Sequence, residues 1–571
     1  MAECRGIVAA HTQDGRDLVL ANTSDMSPRG YVLITDIRSG RTDQLYCPEG
    51  VANSPPYAAI LASNGRFYTA QGPVLLELDP ATASWRFHGV PSPDAAAYLA
   101  FTEGPDGRIW AASVYGTVLV SFDPASRLMT DHGRLDPEEQ YVFDLAVDDT
   151  GWVYAGVGTA RGDIVAYNPF TGELRGVVPE PERTHESGVV YPTIDGAAVG
   201  KAAGRTYRLL GGVAREIDPA QAPARRDVGD IYWSRGAARF PDGTRVVAYD
   251  LPDRWLEVVD AGAAERRRIE FDYASGGVSI TSLGEGPAAM VYGSTAHPMH
   301  LLAFDAADRG LADYGPIRAI GGGNFCAITH QGELVIGAQY SHGRLWAYDT
   351  AAPWAPEGGN PRWMAEWPRD ICRPRTALAH PDGHHVMMAG FADYGLCGGG
   401  IGIVDLDTGQ SSLLTANEDL LPGHSPITLV SLPGGDLVGG TSVDCPGGGH
   451  STATEAELFV LDWESKKVVY RVAPVPGDRN LISLVVARDG RVHGLSSRAI
   501  WFVFDPRSRA IVHSQSLSPY GSVPRHALHV AQDGSLRALM SSAILRLDPS
   551  AFTHEVLART PAPITAGGAR V

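Results

Sequence analysis

Several histidine, tyrosine and arginine residues in the second half of the chain lie in segments that connect short apolar runs. The candidates for proton transfer are Tyr340, His342, Tyr394 and His450. The candidates for substrate binding are Asn324, Arg373, Arg375, His424, Asp444, Arg525 and His526. When a proton is removed next to a carboxylate, arginine neutralises the acid group while tyrosine or histidine moves the proton. The set therefore indicates a carbon–oxygen lyase acting on a small acidic or carbohydrate-like compound.

Two alternatives to this site stay open. The first is a set in the first half of the chain, formed by His185, Tyr191, Tyr207 and Arg208. The second is a divalent metal ion, for which suitable ligands are His342, His424, His450 and Asp444. No pair of them has the spacing of a short metal motif, so we expect no metal and no other cofactor. Gly-x-Ser-x-Gly elbows, P-loops and dinucleotide fingerprints are also absent, which disfavours the common hydrolases, nucleotidases and dehydrogenases.

One phrase recurs along the chain, an apolar run that ends in Asp or Asn before a turn. The acidic or amide residue stands at positions 36, 79, 123, 168, 218, 260, 305, 349, 405, 462, 505 and 548. Between these phrases, a glycine turn leads into an alternating strand, as in DGRIWAAS and QGELVIGA. Each unit of about 44 residues thus reads as four antiparallel strands, which is typical of a β-propeller blade. The twelve Asp and Asn side chains are predicted to stabilise turns.

Twelve blades exceed the four to eight of an ordinary propeller. The sequence therefore predicts an all-β protein of two adjoining propellers, with halves at 1–276 and 277–571. Strand patterns alone do not fix the division, and splits of six and six, seven and five, or five and seven blades remain open.

Two long insertions interrupt the repeat, at 389–402 and 439–458. They fall between the second and third strands of adjacent blades, on the face where the candidate side chains are expected. Because loops on a rigid scaffold commonly carry function, we expect the insertions to form a wall or lid over the site. The glycine triplets at 398–400 and 447–449 could present backbone N–H groups to an anion.

The segment YVFDLAVDDTGWVYAGVGTARGDIVAYNPFTGEL (141–174) resembles the propeller superfamily that includes streptogramin lyase and the propeller-type polysaccharide lyases. The units around 101–125 and 325–350 resemble it too. The resemblance implies β-elimination, with a His or Tyr base and an Arg or a metal beside the substrate's acid group. It implies uronic-acid-containing oligosaccharides or related compounds as substrates. The same pattern also fits a non-catalytic propeller that binds a ligand or serves as a protein-interaction scaffold.

Composition restricts the partners. The chain has 47 Lys and Arg against 65 Asp and Glu, a net charge of −18, so neither nucleic acid nor a membrane surface is expected to bind. The N-terminal residues lack the apolar core of a secretory signal, which predicts a cytoplasmic protein. The six cysteines show no C-x-x-C pair and are predicted to be free thiols. The sequence leaves the oligomeric state open.

Overall fold

A computed structural model describes residues 3–226, 230–232, 239–305, 307–317 and 323–565. Regular structure in these ranges is β-strand, apart from five single 3₁₀ turns at Glu180–Glu182, Pro219–Gln221, Pro287–Ala289, Pro356–Gly358 and Ser518–Tyr520. The described part of the chain contains no helix long and apolar enough to cross a membrane. The chain divides into two compact units, Met1–Val278 and Ser279–Val571, and six sheets fall in each.

The strands of the first unit are β1 (Glu3–His11), β2 (Asp17–Ser24), β3 (Tyr31–Asp36), β4 (Thr42–Tyr46), β5 (Ala58–Leu61), β6 (Phe67–Gln71), β7 (Val74–Asp79), β8 (Ser84–Gly89), β9 (Ala97–Glu103), β10 (Ile109–Val114), β11 (Val118–Asp123), β12 (Leu128–Arg134), β13 (Tyr141–Val147), β14 (Val153–Gly158), β15 (Asp163–Tyr167), β16 (Leu174–Gly176), β17 (Val189–Pro192), β18 (Ala198–Ala202), β19 (Arg205–Leu210), β20 (Val213–Glu216), β21 (Asp230–Tyr232), β22 (Arg245–Asp250), β23 (Trp255–Val259) and β24 (Arg267–Glu270).

The strands of the second unit are β25 (Ile280–Glu285), β26 (Val291–Thr295), β27 (His300–Asp305), β28 (Gly310–Pro316), β29 (Asn324–Gln331), β30 (Leu334–Tyr340), β31 (Arg344–Asp349), β32 (Arg362–Glu366), β33 (Arg373–Ala379), β34 (His385–Phe391), β35 (Gly399–Asp405), β36 (Ser411–Thr415), β37 (Ser425–Ser431), β38 (Leu437–Ser442), β39 (Leu458–Asp462), β40 (Lys467–Val472), β41 (Leu481–Val486), β42 (Val492–Ser496), β43 (Ile500–Asp505), β44 (Ala510–Ser516), β45 (Leu528–Val530), β46 (Leu536–Met540), β47 (Ala543–Asp548) and β48 (Thr553–Arg559).

Consecutive strands pair antiparallel to form twelve sheets, which confirms the all-β, twelve-blade prediction. Ten of these sheets have four strands. The first unit departs from the pattern twice, since β21 adds to the edge of β5 as a fifth strand and β22–β24 form a three-stranded sheet. Neighbouring sheets pack face to face through apolar clusters. One cluster joins Trp501 and Val503 of one sheet to Leu536, Leu545 and Leu547 of the next.

The recurring Asp and Asn side chains stabilise turns. Ten of them stand at the end of the third strand of a sheet or directly after it, Asp260 stands between β23 and β24, and Asp218 stands after β20 at the start of a 3₁₀ turn. Eleven of the twelve accept a backbone N–H from the residue two or three positions later. Asp260 instead accepts from the side chain of Arg267 at 2.9 Å. These contacts explain why the residue type recurs, because a short carboxylate or amide can replace the missing backbone acceptor in a turn.

Candidate functional site

A β-bulge recurs near the start of the first strand in five sheets of the second unit. In each, one residue is skipped in the pairing with the second strand. The skipped residues are Thr281, Cys326, Arg375, Ile427 and Ile482. A bulge re-aims the side chain of the extra residue. Cys326 and Arg375 therefore occupy equivalent places in neighbouring sheets, at the end where the sequence predicts a site.

Tyr340, Arg373 and Tyr394 form one contact group, which we call the arginine–tyrosine cluster. Tyr340 ends β30, Arg373 begins β33 and Tyr394 lies in the first insertion. The two phenolic oxygens are 3.1 Å apart. The Arg373 guanidinium lies 4.0 Å from the centre of the Tyr394 ring and 6.0 Å from that of Tyr340. Three residues that are far apart in sequence, and that the sequence assigned to one site, are thus in direct contact.

The protonation of Tyr340 is set by its surroundings. Burial raises the pKa of the Tyr340 hydroxyl and the adjacent Tyr394 adds to this, while Arg373 opposes it. Tyr340 therefore keeps its proton near neutral pH and can donate it in a hydrogen bond to the oxygen of Tyr394.

A second group lies beside the cluster and contains Asn324, Cys326, Arg375, Arg525 and His526. Burial and the charge of Arg525 lower the pKa of Arg375 to about 10, which still leaves it protonated at neutral pH. The His526 Nε2 atom lies 3.3 Å from the carbonyl oxygen of Cys326, and burial lowers the pKa of the ring to about 4. Asn324 donates to Thr281 Oγ1 at 2.8 Å. The positive charge of Arg525 lies close enough to lower the pKa of Arg375, and two neighbouring guanidinium groups favour an anion between or above them.

The two insertions are tied together by a disulfide between Cys397 and Cys445. The prediction of free thiols is wrong for this pair, although Cys47, Cys326 and Cys372 are free and buried. Next to the disulfide, the Gly395 amide donates to the carbonyl of Gly447 at 2.9 Å. The Arg373 guanidinium donates to the carbonyl of Pro446. The insertions therefore form one cross-linked wall that holds both Tyr394 and Arg373.

The glycine triplets allow close packing instead of an anion cradle. A Cβ atom on Gly447 would lie 2.5 Å from the Cα of Tyr394, and one on Gly449 would lie 2.5 Å from the carbonyl oxygen of Leu396. Gly399 belongs to β35, where a Cβ would meet the carbonyl oxygen of Gly390. In each case the absent side chain lets two backbones approach, and at Gly447 and Gly449 this places the second insertion against the first.

Four sequence candidates lie around this wall. Both ring nitrogens of His424 lie near backbone carbonyls, those of Pro422 at 2.9 Å and Glu455 at 3.1 Å, so this ring braces the second insertion. Asp444 accepts from Arg479 at 2.9 Å and from Asn480 at 2.8 Å. His342 Nδ1 lies 3.1 Å from Ser341 Oγ, and His450 is exposed. Among the described residues, no group of three or more His, Cys, Asp or Glu is arranged to hold a metal ion.

In the alternative set of the first unit, two of the four residues, Tyr207 and Arg208, have structural contacts. Tyr207 is buried in the apolar cluster between two sheets. Arg208 points to the other face of β19 and pairs with Asp195 at 3.0 Å. His185 is exposed, and Tyr191 lies in β17. These contacts make the first-unit set a weaker candidate than the arginine–tyrosine cluster.

Cys372 and Asp393 also belong to the site, although sequence reasoning did not assign Cys372 there. Burial raises the pKa of the Cys372 thiol to about 12, and a hydrogen bond to Asp393 adds to the shift. The thiol is therefore a neutral donor that holds the base of the first insertion. Its position directly before Arg373 was the available signal.

The sequence matches no protein-family model and no curated protein. Solved structures with a similar arrangement of strands include the extracellular domain of the putative one-component system BT4673 from B. thetaiotaomicron, at 10% identity and a TM-score of 0.34, covering 94% of this chain and 80% of that one. PorZ of Porphyromonas gingivalis, a surface component of the type-IX secretion system, matches at 12% identity and a TM-score of 0.36. The match covers 95% of this chain and 73% of that one. The Cps50 (Swd1) β-propeller domain of Myceliophteria thermophila matches at 14% identity and a TM-score of 0.38. The match covers 51% of this chain and 88% of that one. At these scores the similarities carry no argument about function.

Proposed function

We propose that the second unit binds a uronic-acid-containing oligosaccharide or a related carboxylate at the arginine–tyrosine cluster and cleaves it by β-elimination. The contact between Arg373, Tyr394 and Tyr340 carries the proposal, because it puts a carboxylate binder and a proton carrier within reach of one ligand. The resemblance to propeller-type lyases supports the same reaction class.

In this reaction Arg373 and Arg375 bind the uronate carboxylate and stabilise the charge that develops beside it. The deprotonated oxygen of Tyr394 removes the proton from the carbon next to the carboxylate. The electron pair of that C–H bond forms the new C=C bond, and the neighbouring C–O bond breaks. The departing oxygen takes a proton from the Tyr394 hydroxyl, which restores the starting state.

Non-catalytic ligand binding is the second candidate, and a specific observation favours it. Burial shifts the pKa of Tyr340 upward and that of His526 downward, so both groups keep one protonation state around neutral pH. General acid–base groups work best with pKa values near the working pH. If Tyr394 does not carry the proton, the same arginines would still recognise a carboxylate.

The location of the protein is part of the proposal. Disulfides persist in oxidising compartments and are rare in the cytoplasm. The Cys397–Cys445 bond thus favours a secreted, periplasmic or surface location over the cytoplasmic one predicted from the N-terminal residues.

Ultraviolet absorbance of the conjugated unsaturated uronate tests the reaction. We expect it to rise when the protein is incubated with at least one member of a panel of polygalacturonate, alginate and glucuronan oligosaccharides. Tyr394→Phe should lower turnover by about 10²-fold or more while leaving binding intact. Tyr470→Phe is the matched control, because Tyr470 lies on the outer strand β40 and its hydroxyl donates to the Arg509 carbonyl. Binding of a uronate by wild type without any product would favour the second candidate, and neither binding nor product would refute both.

A further inference from the structure

A cavity separate from the arginine–tyrosine cluster lies beside the sheet β29–β32, and the connection between β31 and β32 forms part of it. That connection covers 350–361, twelve residues, whereas the equivalent connections in the other sheets have two to seven. A longer loop costs additional closure entropy, and a blade does not need it. The hydrogen bonds within the connection therefore show whether it is held in one conformation.

Asn360 organises the connection. Its side-chain oxygen accepts from the Asp349 amide at 2.9 Å, and its side-chain nitrogen lies 3.0 to 3.3 Å from the carbonyls of Asp349, Ala352 and Pro353. The backbones of Ala355 and Asn360 exchange hydrogen bonds of 2.7 and 3.0 Å. The loop is thus held in one conformation, as a preorganised binding site requires.

The connection supplies one wall of a cavity of about 520 Å³, a volume typical of small-ligand sites. Three indoles line it, those of Trp346, Trp354 and Trp363. Trp354 is fixed by stacking on Tyr314, with ring centres 5.3 Å apart. Trp363 is 54% exposed. Trp346 is buried, and its ring crosses that of Trp363 at 70° with ring centres 5.6 Å apart. The exposed face of Trp363, which packs on Trp346, is suited to a ligand that also has a flat face.

The polar groups of the cavity are few and balanced in charge. Glu357 and Arg362 lie at its edge. Arg344, which lies 4.8 Å from the Trp363 ring centre, is paired with Glu366 at 2.8 Å. The Trp346 Nε1 atom donates to Gln339 at 2.6 Å, so this indole offers its apolar surface to the cavity. With opposite charges at the edge and no excess of either sign, the cavity favours an uncharged ligand with hydroxyl groups.

We propose that this cavity binds a neutral saccharide. A pyranose ring presents a flat C–H face, which packs on an indole, and a rim of hydroxyls, which hydrogen-bond to a carboxylate and a guanidinium. The residues involved are separate from the arginine–tyrosine cluster. The inference therefore does not depend on the proposed lyase activity.

Isothermal titration calorimetry with cellohexaose, xylohexaose, mannohexaose and maltohexaose tests the proposal. At least one should bind, and Trp363→Ala should weaken that binding by about tenfold, the loss expected for one stacked aromatic. Arg362→Ala should weaken it as well. Trp255→Ala is the matched control, since that indole also lies beside a guanidinium, that of Arg268 at 4.5 Å, but in a different sheet. Circular dichroism verifies that each variant is folded.

Failure of all four neutral hexasaccharides to bind at millimolar concentration would overturn the proposal. Sugar binding that Trp363→Ala and Arg362→Ala leave unchanged would overturn it too. So would a titration in which a proline-rich peptide binds and none of the four sugars does. Loss of lyase activity in Tyr394→Phe with unchanged binding of the neutral sugar is expected, because the two sites use different residues.

Discussion

Removing the Cys397–Cys445 disulfide should loosen the wall formed by the two insertions and lower the stability of the second unit. The bond joins residues 48 positions apart, and closing a loop of that length contributes about 4 kcal/mol through the entropy of the unfolded chain. In a unit of this size that loss corresponds to a decrease in Tm on the order of 8 °C. The variant is Cys397→Ser combined with Cys445→Ser, and differential scanning calorimetry measures the shift.

Hydrogen exchange locates the effect. Amides in 439–458 should exchange faster in the double variant, because the covalent tie to the first insertion is lost. Hydrogen bonds such as those of Gly395 to Gly447 and of Arg373 to Pro446 then join the two insertions. A reductant should lower the Tm of wild type and leave that of the double variant unchanged, which controls for effects on other thiols. A double variant within about 1 °C of wild type, with unchanged exchange in 439–458, would refute the role given to the cross-link.

Three further predictions concern binding, packing and pH. Arg373→Ala should weaken binding of a uronate by about tenfold or more, since a charge-assisted hydrogen bond is lost, whereas Arg344→Ala should not; calorimetric titration decides. Gly447→Ala should lower uronate turnover by displacing Tyr394, while Gly434→Ala, whose added methyl would meet nothing within 4 Å, should leave it unchanged; equal rates in the two variants would contradict the packing argument. His493 is fully buried and its pKa is lowered to about 4 by desolvation, so the folded state excludes a proton that the unfolded state binds below about pH 6.5. Stability should fall as the pH drops from 6.5 towards 4, by about 2 kcal/mol at pH 5 for this residue, and His493→Gln should flatten the dependence of Tm on pH.

The repeat in the sequence predicted the blades because each turn depends on a local interaction. The Asp123 carboxylate accepts a hydrogen bond from the backbone amide two positions later, at 2.9 Å. Both partners of such a contact belong to the same repeat unit, so the sequence of one unit is enough to predict it. The addition of β21 to the edge of β5 could not be predicted in this way. That pairing joins Asp230 to Ile60 across 170 positions, and nothing in either segment specifies the partner.

The position of the insertions and the expected face led the sequence analysis to group Tyr340, Arg373 and Tyr394, and these three side chains are in contact. Their role in a functional site stays a prediction. The disulfide was missed because spacing was judged within short motifs, although Cys397 and Cys445 each stand just before a glycine triplet in neighbouring insertions. The Trp-lined cavity was missed because the extra length between Asp349 and Asp405 was assigned to the insertion at 389–402. In the structure the connection at 350–361 holds most of that extra length.

A crystal of the Tyr394→Phe variant soaked with a uronic acid trisaccharide tests the central claim most directly. The account predicts that a uronate carboxylate lies within hydrogen-bond distance of the Arg373 or Arg375 guanidinium, with the adjacent ring carbon facing Phe at position 394. A trisaccharide bound in the first unit beside Tyr191, or bound in the second unit with its carboxylates directed away from both arginines, would contradict it.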